Sequence, residues 1–274
     1  MARPIVAACL FCGCVWVGAV ASLWAGQSHL VFMTGLSRKY TAPIDPAIFS
    51  EHAMTSANGL RLNSVAIETN LDADAYWILY CPPAGASTRV QRIQGHLREL
   101  SSLGYNVLAF DYRGFGDNDG TPTEEGLYAD ALTAYQYLTG VRNVAQSRVI
   151  VAGRSLGTAV AVDLATRVRP AGLLLFSPID SVPSAAARLY PWAPARWLSA
   201  YRFDSRAKAA HVTSPVLVIH GSGDRYLPLA DARSLLQEFR GPTMMVQTSG
   251  GHHHSGFVSI ADLYRGMRRW WPPG

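Results

Sequence analysis

Three kinds of side chain that can together attack a carbonyl carbon sit at strand-end positions in this sequence. Gly153-Arg154-Ser155-Leu156-Gly157 follows the apolar run Val149-Ile150-Val151-Ala152 and precedes a small-residue stretch that reads as a helix. In such a G-x-S-x-G turn the serine is strained between strand and helix, and the glycines remove Cβ atoms that would collide there. The hydroxyl is thereby lifted above the sheet, with a helix N-terminus nearby to favour an oxyanion. A serine hydroxyl also needs a base to take its proton and a carboxylate to orient that base. In this chain order the acid is expected after the next-but-one strand and the base last. Asp224 meets the first requirement, in Gly221-Ser222-Gly223-Asp224 after the apolar run 216–220. His252 meets the second, in Gly250-Gly251-His252-His253-His254 before the last predicted helix.

Other residues compete for these roles. Asp180, in Ser177-Pro178-Ile179-Asp180, is the alternative acid, although its place suits the start of an insert. Spacing alone leaves His253 and His254 open as bases, and His252 is preferred because it follows the glycine pair. Three adjacent imidazoles also suggest a metal. Neighbouring side chains in extended chain point to opposite faces, however, and no acidic cluster accompanies them, so neither metal nor cofactor is expected. His220 at a strand end reads as structural, and His96 on a predicted helix as solvated.

These residues need a scaffold of strands and helices in alternation. Short apolar runs at 76–81, 106–110, 148–152, 172–176, 215–220 and 243–247 suit strands covered on both faces. Helical stretches lie near 90–103, 123–138, 156–168, 229–239 and 257–269. That alternation predicts an α/β fold with a mostly parallel central sheet and helices on both faces. Asn58-Gly59 predicts an antiparallel hairpin closed by a two-residue turn with positive φ at both positions. The expected organisation is a segment 1–26, an irregular linker 27–56 and a catalytic domain 57–274. Residues 177–214 are too long for a plain crossover and read as a small cap, whose aromatics (Tyr190, Trp192, Trp197, Tyr201, Phe203) either line an acyl pocket or pack a small core.

The chain has 274 residues, of which 49% are hydrophobic and 16% charged. A disordered chain is excluded by that apolar fraction, and no glycine period or heptad run points to collagen or coiled coil. Cys9, Cys12 and Cys14 share one apolar segment and only Cys81 lies elsewhere, which excludes a disulfide framework for the rest. The net charge of +5 is dispersed, so no nucleic-acid partner is expected. Between Arg3 and Arg38 no residue is charged, and Ile5–Ala25 has only Ser22 as a plainly polar member. A helix of that length crosses a hydrocarbon layer of about 30 Å, and an uncleaved membrane anchor is the first reading. A cleaved signal peptide is the second, because Ala19-Val20-Ala21 resembles a cleavage site. The domain is expected outside the cytoplasm, although Arg3 faces Arg38 and Lys39 across the segment and determines orientation poorly. Near the C-terminus, Tyr264 to Trp271 mixes basic and aromatic side chains as at a lipid interface, but a helix with Phe257, Ile260, Leu263 and Met267 turned inward is favoured.

With Asp111-Tyr112-Arg113-Gly114-Phe115-Gly116 and Asp224-Arg225-Tyr226-Leu227-Pro228 added to the elbow and Gly251-His252, the chain resembles an α/β-hydrolase over residues 58–270. It is most similar to the membrane-anchored serine hydrolases of the α/β-hydrolase-domain group, described as serine aminopeptidase-like or lysophospholipase-like. The resemblance implies cleavage of an ester, thioester or amide through an acyl-enzyme, without metal or organic cofactor. It also implies an oxyanion hole built from the Leu156 N–H and a donor in the loop after residue 81. There the family often carries His-Gly-Asn-Ala-Gly, whereas this chain has Cys81-Pro82-Pro83-Ala84-Gly85. Pro83, aligned with the usual donor, has no N–H. Either Ala84 donates instead, or Leu156 acts alone. The expected substrate is a small-molecule or lipid acyl compound, the expected contact a membrane through the N-terminal helix, and the oligomeric state stays open. The rival expectation is a catalytically silent scaffold serving as a membrane-bound binding protein.

Overall fold

Apolar runs too short for helices become strands buried on both faces. In the computed structural model, which describes residues 2–252 and 260–273, these are β3 (Trp77–Cys81), β4 (Asn106–Phe110), β5 (Val149–Arg154), β6 (Gly172–Phe176) and β7 (Val216–Gly221). Every residue in them is buried. With β1 (Ser50–Thr55), β2 (Arg61–Ile67) and β8 (Thr243–Thr248) they form one sheet of order β1-β2-β4-β3-β5-β6-β7-β8. β2 runs antiparallel to β1 and β4, and the pairs from β4 through β8 are parallel. Side chains alternate between two cores: Trp77, Leu79 and Cys81 face one, Ile78 and Tyr80 the other. On the first face pack α5 (Glu124–Gln136), α6 (Leu156–Arg167) and α10 (Leu229–Leu236). On the second pack α4 (Gln91–Ser102) and α11 (Ile260–Arg268). Leu263, Met267 and Trp271 are buried there while Arg265, Arg268 and Arg269 are exposed, as expected of a docked C-terminal helix. His253, His254 and Phe257 lie outside the described residues.

Three expectations differ from the structure. The hairpin between β1 and β2 forms, but its loop is residues 57–59. Ser56 N–H donates to Leu60 O at 2.9 Å, Gly59 N–H donates to Ser56 O at 2.9 Å, and of the Asn-Gly pair only Gly59 has positive φ, +81°. One left-handed residue after a turn suffices for this longer loop. His96 is buried, with ring centroids 5.3 Å from Tyr80 and 4.7 Å from Phe176. A polar residue on a helix is thus covered because aromatic rings from β3 and β6 pack edge-on against it. The stretch read as a linker holds α2 (Gln27–Phe32), α3 (Thr34–Ser37) and β1, and Phe32 and Phe49 are core residues.

Before this stretch, α1 (Ala2–Ala25) carries the apolar window Ile5–Ala25, none of which is buried, and it is long and apolar enough to cross a membrane. Residues 177–214 contain α7 (Val182–Leu189), α8 (Ala195–Leu198) and α9 (Ser205–Ala209). Of the cap aromatics, Phe203 is fully buried and Tyr201 meets Phe32 edge-on at 4.8 Å, so this part packs a core. Trp192 and Trp197 stay exposed.

The loop after β4 is pinned by a buried ion pair. Arg113 donates from its backbone N–H to Asp130 Oδ2 at 2.8 Å and from its guanidinium to Oδ1 at 2.7 Å, and the Asp130 side chain is fully buried. Removing one partner of such a pair leaves the other charge buried alone. Asp130→Asn is therefore expected to cost about 3–5 kcal/mol in urea unfolding. Burial lowers the His96 pKa below its ordinary value of 6.5, outweighing Glu99 nearby. The native imidazole thus stays neutral where the unfolded one protonates, so its stability is intact above about pH 6.5 and is lost as pH falls below it. In melts at decreasing pH, His96→Leu is expected to gain on the wild type below pH 6.5, with the residual slope carried by His220 and His52, whose pKa values are also lowered.

Candidate active site

The site begins where β5 turns into α6. Ser155 has φ 49° and ψ −121°, a conformation costly for a residue with a side chain, and it immediately precedes the helix. Its neighbour Gly157 explains why the turn is so tight. A Cβ at Gly157 would lie 2.1 Å from the Cys81 carbonyl oxygen and 2.5 Å from that of Pro82, so α6 starts in backbone contact with the end of β3. Ser155 N–H donates to Phe176 O at 2.9 Å, which ties the turn to β6 as well.

Asp224 and His252, the candidate acid and base, follow the ends of β7 and β8. The pairing of β7 with β8 continues past the strands: Ser222 N–H donates to Thr248 O at 2.7 Å and Gly223 N–H to Gly250 O at 3.1 Å. A Cβ at Gly221 would lie 2.0 Å from Gly250 O, so the two loops share one tight backbone seam. Across it, His252 Nδ1 lies 2.7 Å from Asp224 Oδ2, and His252 Nε2 lies 3.1 Å from Ser155 Oγ. Asp224 Oδ1 accepts the N–H groups of Tyr226 at 3.0 Å and Leu227 at 2.9 Å. Oδ2 is thus left to accept the Nδ1 proton, which leaves Nε2 bare towards the serine hydroxyl. Burial works against a charge on Asp224. The bonds from His252, Leu227 and Tyr226 outweigh it and hold the carboxyl below the usual carboxylate range.

The structure therefore brings Ser155, His252 and Asp224 together. Asp180 is elsewhere, paired with Arg206 at 2.6 Å. Leu156 is the first residue of α6, so its N–H has no carbonyl within the helix to meet. In the loop after β3, Pro82 and Pro83 have no N–H and that of Gly85 donates to Phe32 O at 2.9 Å, which leaves Ala84. Asp111, in the same motif as Arg113, accepts the Thr88 N–H at 2.6 Å and is pushed up to about 7 by burial. It clamps the loop after β4 to the loop that carries Ala84.

Two supporting residues stand behind the site, of which His220 reads as structural from the sequence and Arg154 carries no such signal. Arg154, buried beside the elbow, donates from its guanidinium to the carbonyl oxygen of His252 at 3.0 Å. His220 Nε2–H donates to Leu227 O at 2.9 Å, so this buried imidazole holds the turn whose N–H groups serve Asp224. Both act on a backbone carbonyl far away in sequence or across a turn, and residue type and spacing carry no signal for that. Tyr226 adds a ring against His252, with centroids 5.6 Å apart.

Comparison with known proteins agrees with this architecture. The family model described as serine aminopeptidase, S33, matches residues 84–206. In sequence the chain is 33% identical over 269 residues to an uncharacterized protein of Mycobacterium tuberculosis, covering 98% of this chain and 94% of that one. It is 34% identical over 170 residues to the lysophosphatidylserine lipase ABHD12 of Danio rerio, covering 56% of this chain and 44% of that protein, so it spans less than half that relative's length. In structure it is similar to an esterase of Pyrococcus furiosus, with a TM-score of 0.72, 17% identity, and 84% of this chain and 96% of that one covered, a likeness of fold. Sheet order, strand-end loops and a relative matched along nearly its whole length agree: the chain belongs to the α/β-hydrolase superfamily and is a hydrolase by family.

Proposed function

We propose that this protein is a membrane-tethered serine hydrolase that cleaves an acyl ester, thioester or related carboxylic bond through an acyl-enzyme. The observation that supports the reading is the unbroken contact from Asp224 Oδ2 through His252 to Ser155 Oγ, at 2.7 and 3.1 Å. In this mechanism Ser155 Oγ attacks the substrate carbonyl while His252 Nε2 takes its proton. Asp224 keeps the imidazole in the tautomer that can do so and stabilises the imidazolium that forms. The oxyanion is met by the Leu156 N–H at the start of α6 and by the Ala84 N–H. Collapse of the tetrahedral species passes the proton from His252 to the leaving oxygen or sulfur and leaves an acyl-serine. Water, deprotonated by the same imidazole, then releases the carboxylic acid.

A lipid-like acyl substrate is the favoured class. Support comes from the apolar helix that tethers the domain and from the lipase among the relatives. The rival reading, a silent scaffold acting as a membrane-bound binding protein, rests on Pro82-Pro83 in place of an oxyanion donor.

A fluorophosphonate probe is expected to label the wild-type protein and to leave Ser155→Ala unlabelled. A folded wild-type protein that resists the probe sinks the hydrolase reading. Ala84→Pro removes the proposed second donor and is expected to lower kcat by about 10²–10³ with KM little changed, a loss typical of one oxyanion-hole hydrogen bond. An unchanged kcat in that variant would assign the oxyanion to Leu156 alone.

A further inference from the structure

The N-terminal helix and the cap meet side by side. Trp16 Nε1–H donates to the Trp192 carbonyl at 3.0 Å, the Gln27 side-chain amide donates to Leu198 O at 3.0 Å, and its oxygen accepts the Ala200 N–H at 2.7 Å. At about 1.5 Å per residue, Trp16 lies roughly 14 Å along α1 from its last residue. A cap that touches Trp16 therefore runs beside the second half of the apolar helix. If α1 crosses a hydrocarbon layer of about 30 Å, the tip of the cap dips into that layer with it. The surface of the tip suits such a place: Trp197 is 82% exposed, Leu189 49% and Trp192 48%. The Trp16 contact satisfies an indole N–H and a loop carbonyl with each other, as an apolar medium requires.

Between α1 and the cap runs an apolar groove, with Val20, Leu23 and Trp24 on one wall and Val182, Ala186 and Leu198 on the other. One wall belongs to the membrane helix itself and no charged residue lines the groove, so what lies against its opening in a bilayer is hydrocarbon. The segment that forms its floor, Leu30 and Val31, continues into Phe32, whose carbonyl holds the Gly85 N–H next to Ala84. The floor of the groove is thus continuous along the chain with the residue whose carbonyl holds the proposed oxyanion loop. We propose that it binds one acyl chain of a membrane lipid, taken laterally from the leaflet so that the ester reaches Ser155 while the rest of the lipid stays in the membrane. The proposal rests on the membrane-tethered hydrolase reading above.

Photo-crosslinking in a bilayer tests it independently of turnover. Full-length protein with Ser155→Ala is placed in phosphatidylcholine nanodiscs containing a phosphatidylcholine with a diazirine at the end of one acyl chain, irradiated, digested and mapped by mass spectrometry. Adducts are expected on cap peptides covering residues 182–199 as well as on α1. Filling the groove with Ala186→Trp, or with Ala193→Trp as a second variant, is expected to reduce the adducts on the groove-lining cap residues Val182 and Ser199 at least tenfold and to leave those on the exposed tip and on α1. Adducts confined to α1 and the exposed tip, or groove adducts unchanged in folded groove-filled variants, overturn the proposal. Because no catalysis is needed, failure here leaves the fluorophosphonate result standing, and failure of that labelling leaves the crosslink map standing.

Discussion

A helix can begin against the carbonyl ends of a neighbouring strand only where no side chain stands between them. At Gly157 the backbone of α6 lies so close to Cys81 and Pro82 that even a methyl group has no room. The geometry of the site follows from that contact. It sets where α6 starts, forces Ser155 into its positive φ, and brings the first N–H of the helix beside the loop that carries Ala84. The strain at Ser155, of order 1–3 kcal/mol, is carried by strands buried on both faces around it. The elbow is the product of packing, and the hydroxyl takes its position from it.

A second seam, between the ends of β7 and β8, does for the proposed acid and base what the elbow does for the proposed nucleophile. Parallel strands in register place Asp224 and His252 opposite each other, and Gly221 lets the two loops touch. The electrostatics then follow from hydrogen-bond supply. A buried carboxylate resists ionisation, but Asp224 is given two backbone N–H groups and one imidazole N–H, and its charge is retained. That charge fixes which imidazole nitrogen faces Ser155. His220 and Arg154 act one layer out, each through a carbonyl of the loop that it steadies.

The sequence made some of this legible and hid the rest for identifiable reasons. The strands from β3 to β7 stand out within a residue or two because a strand covered on both faces must be apolar throughout. Ser155, Asp224 and His252 stand out because each lies at a strand end in the required order, with glycines where backbones must touch. β1 does not, since most of its side chains are exposed and it pairs at the sheet edge, so its pattern lacks an apolar run. His96 misleads because the rings that bury it, Tyr80 and Phe176, belong to other elements. The segment from Gln27 to Arg38 reads as irregular, yet its polar groups are spent on the cap and on the loops beside the site: Gln27 on Leu198 and Ala200, Ser37 on Gly116 and Arg38 on Gly116. Such contacts are tertiary, and no local pattern announces them.

The central claim is that the Ser155 oxygen becomes acylated. Pre-steady-state hydrolysis of a chromogenic acyl ester, with acid quenching and peptide mass analysis, reads it most directly. The account predicts an initial burst of released alcohol approaching one equivalent per chain, or a transient acyl mass on the peptide that holds Ser155 where deacylation is too fast for a burst. Hydrolysis at the wild-type rate by folded Ser155→Ala protein would contradict it.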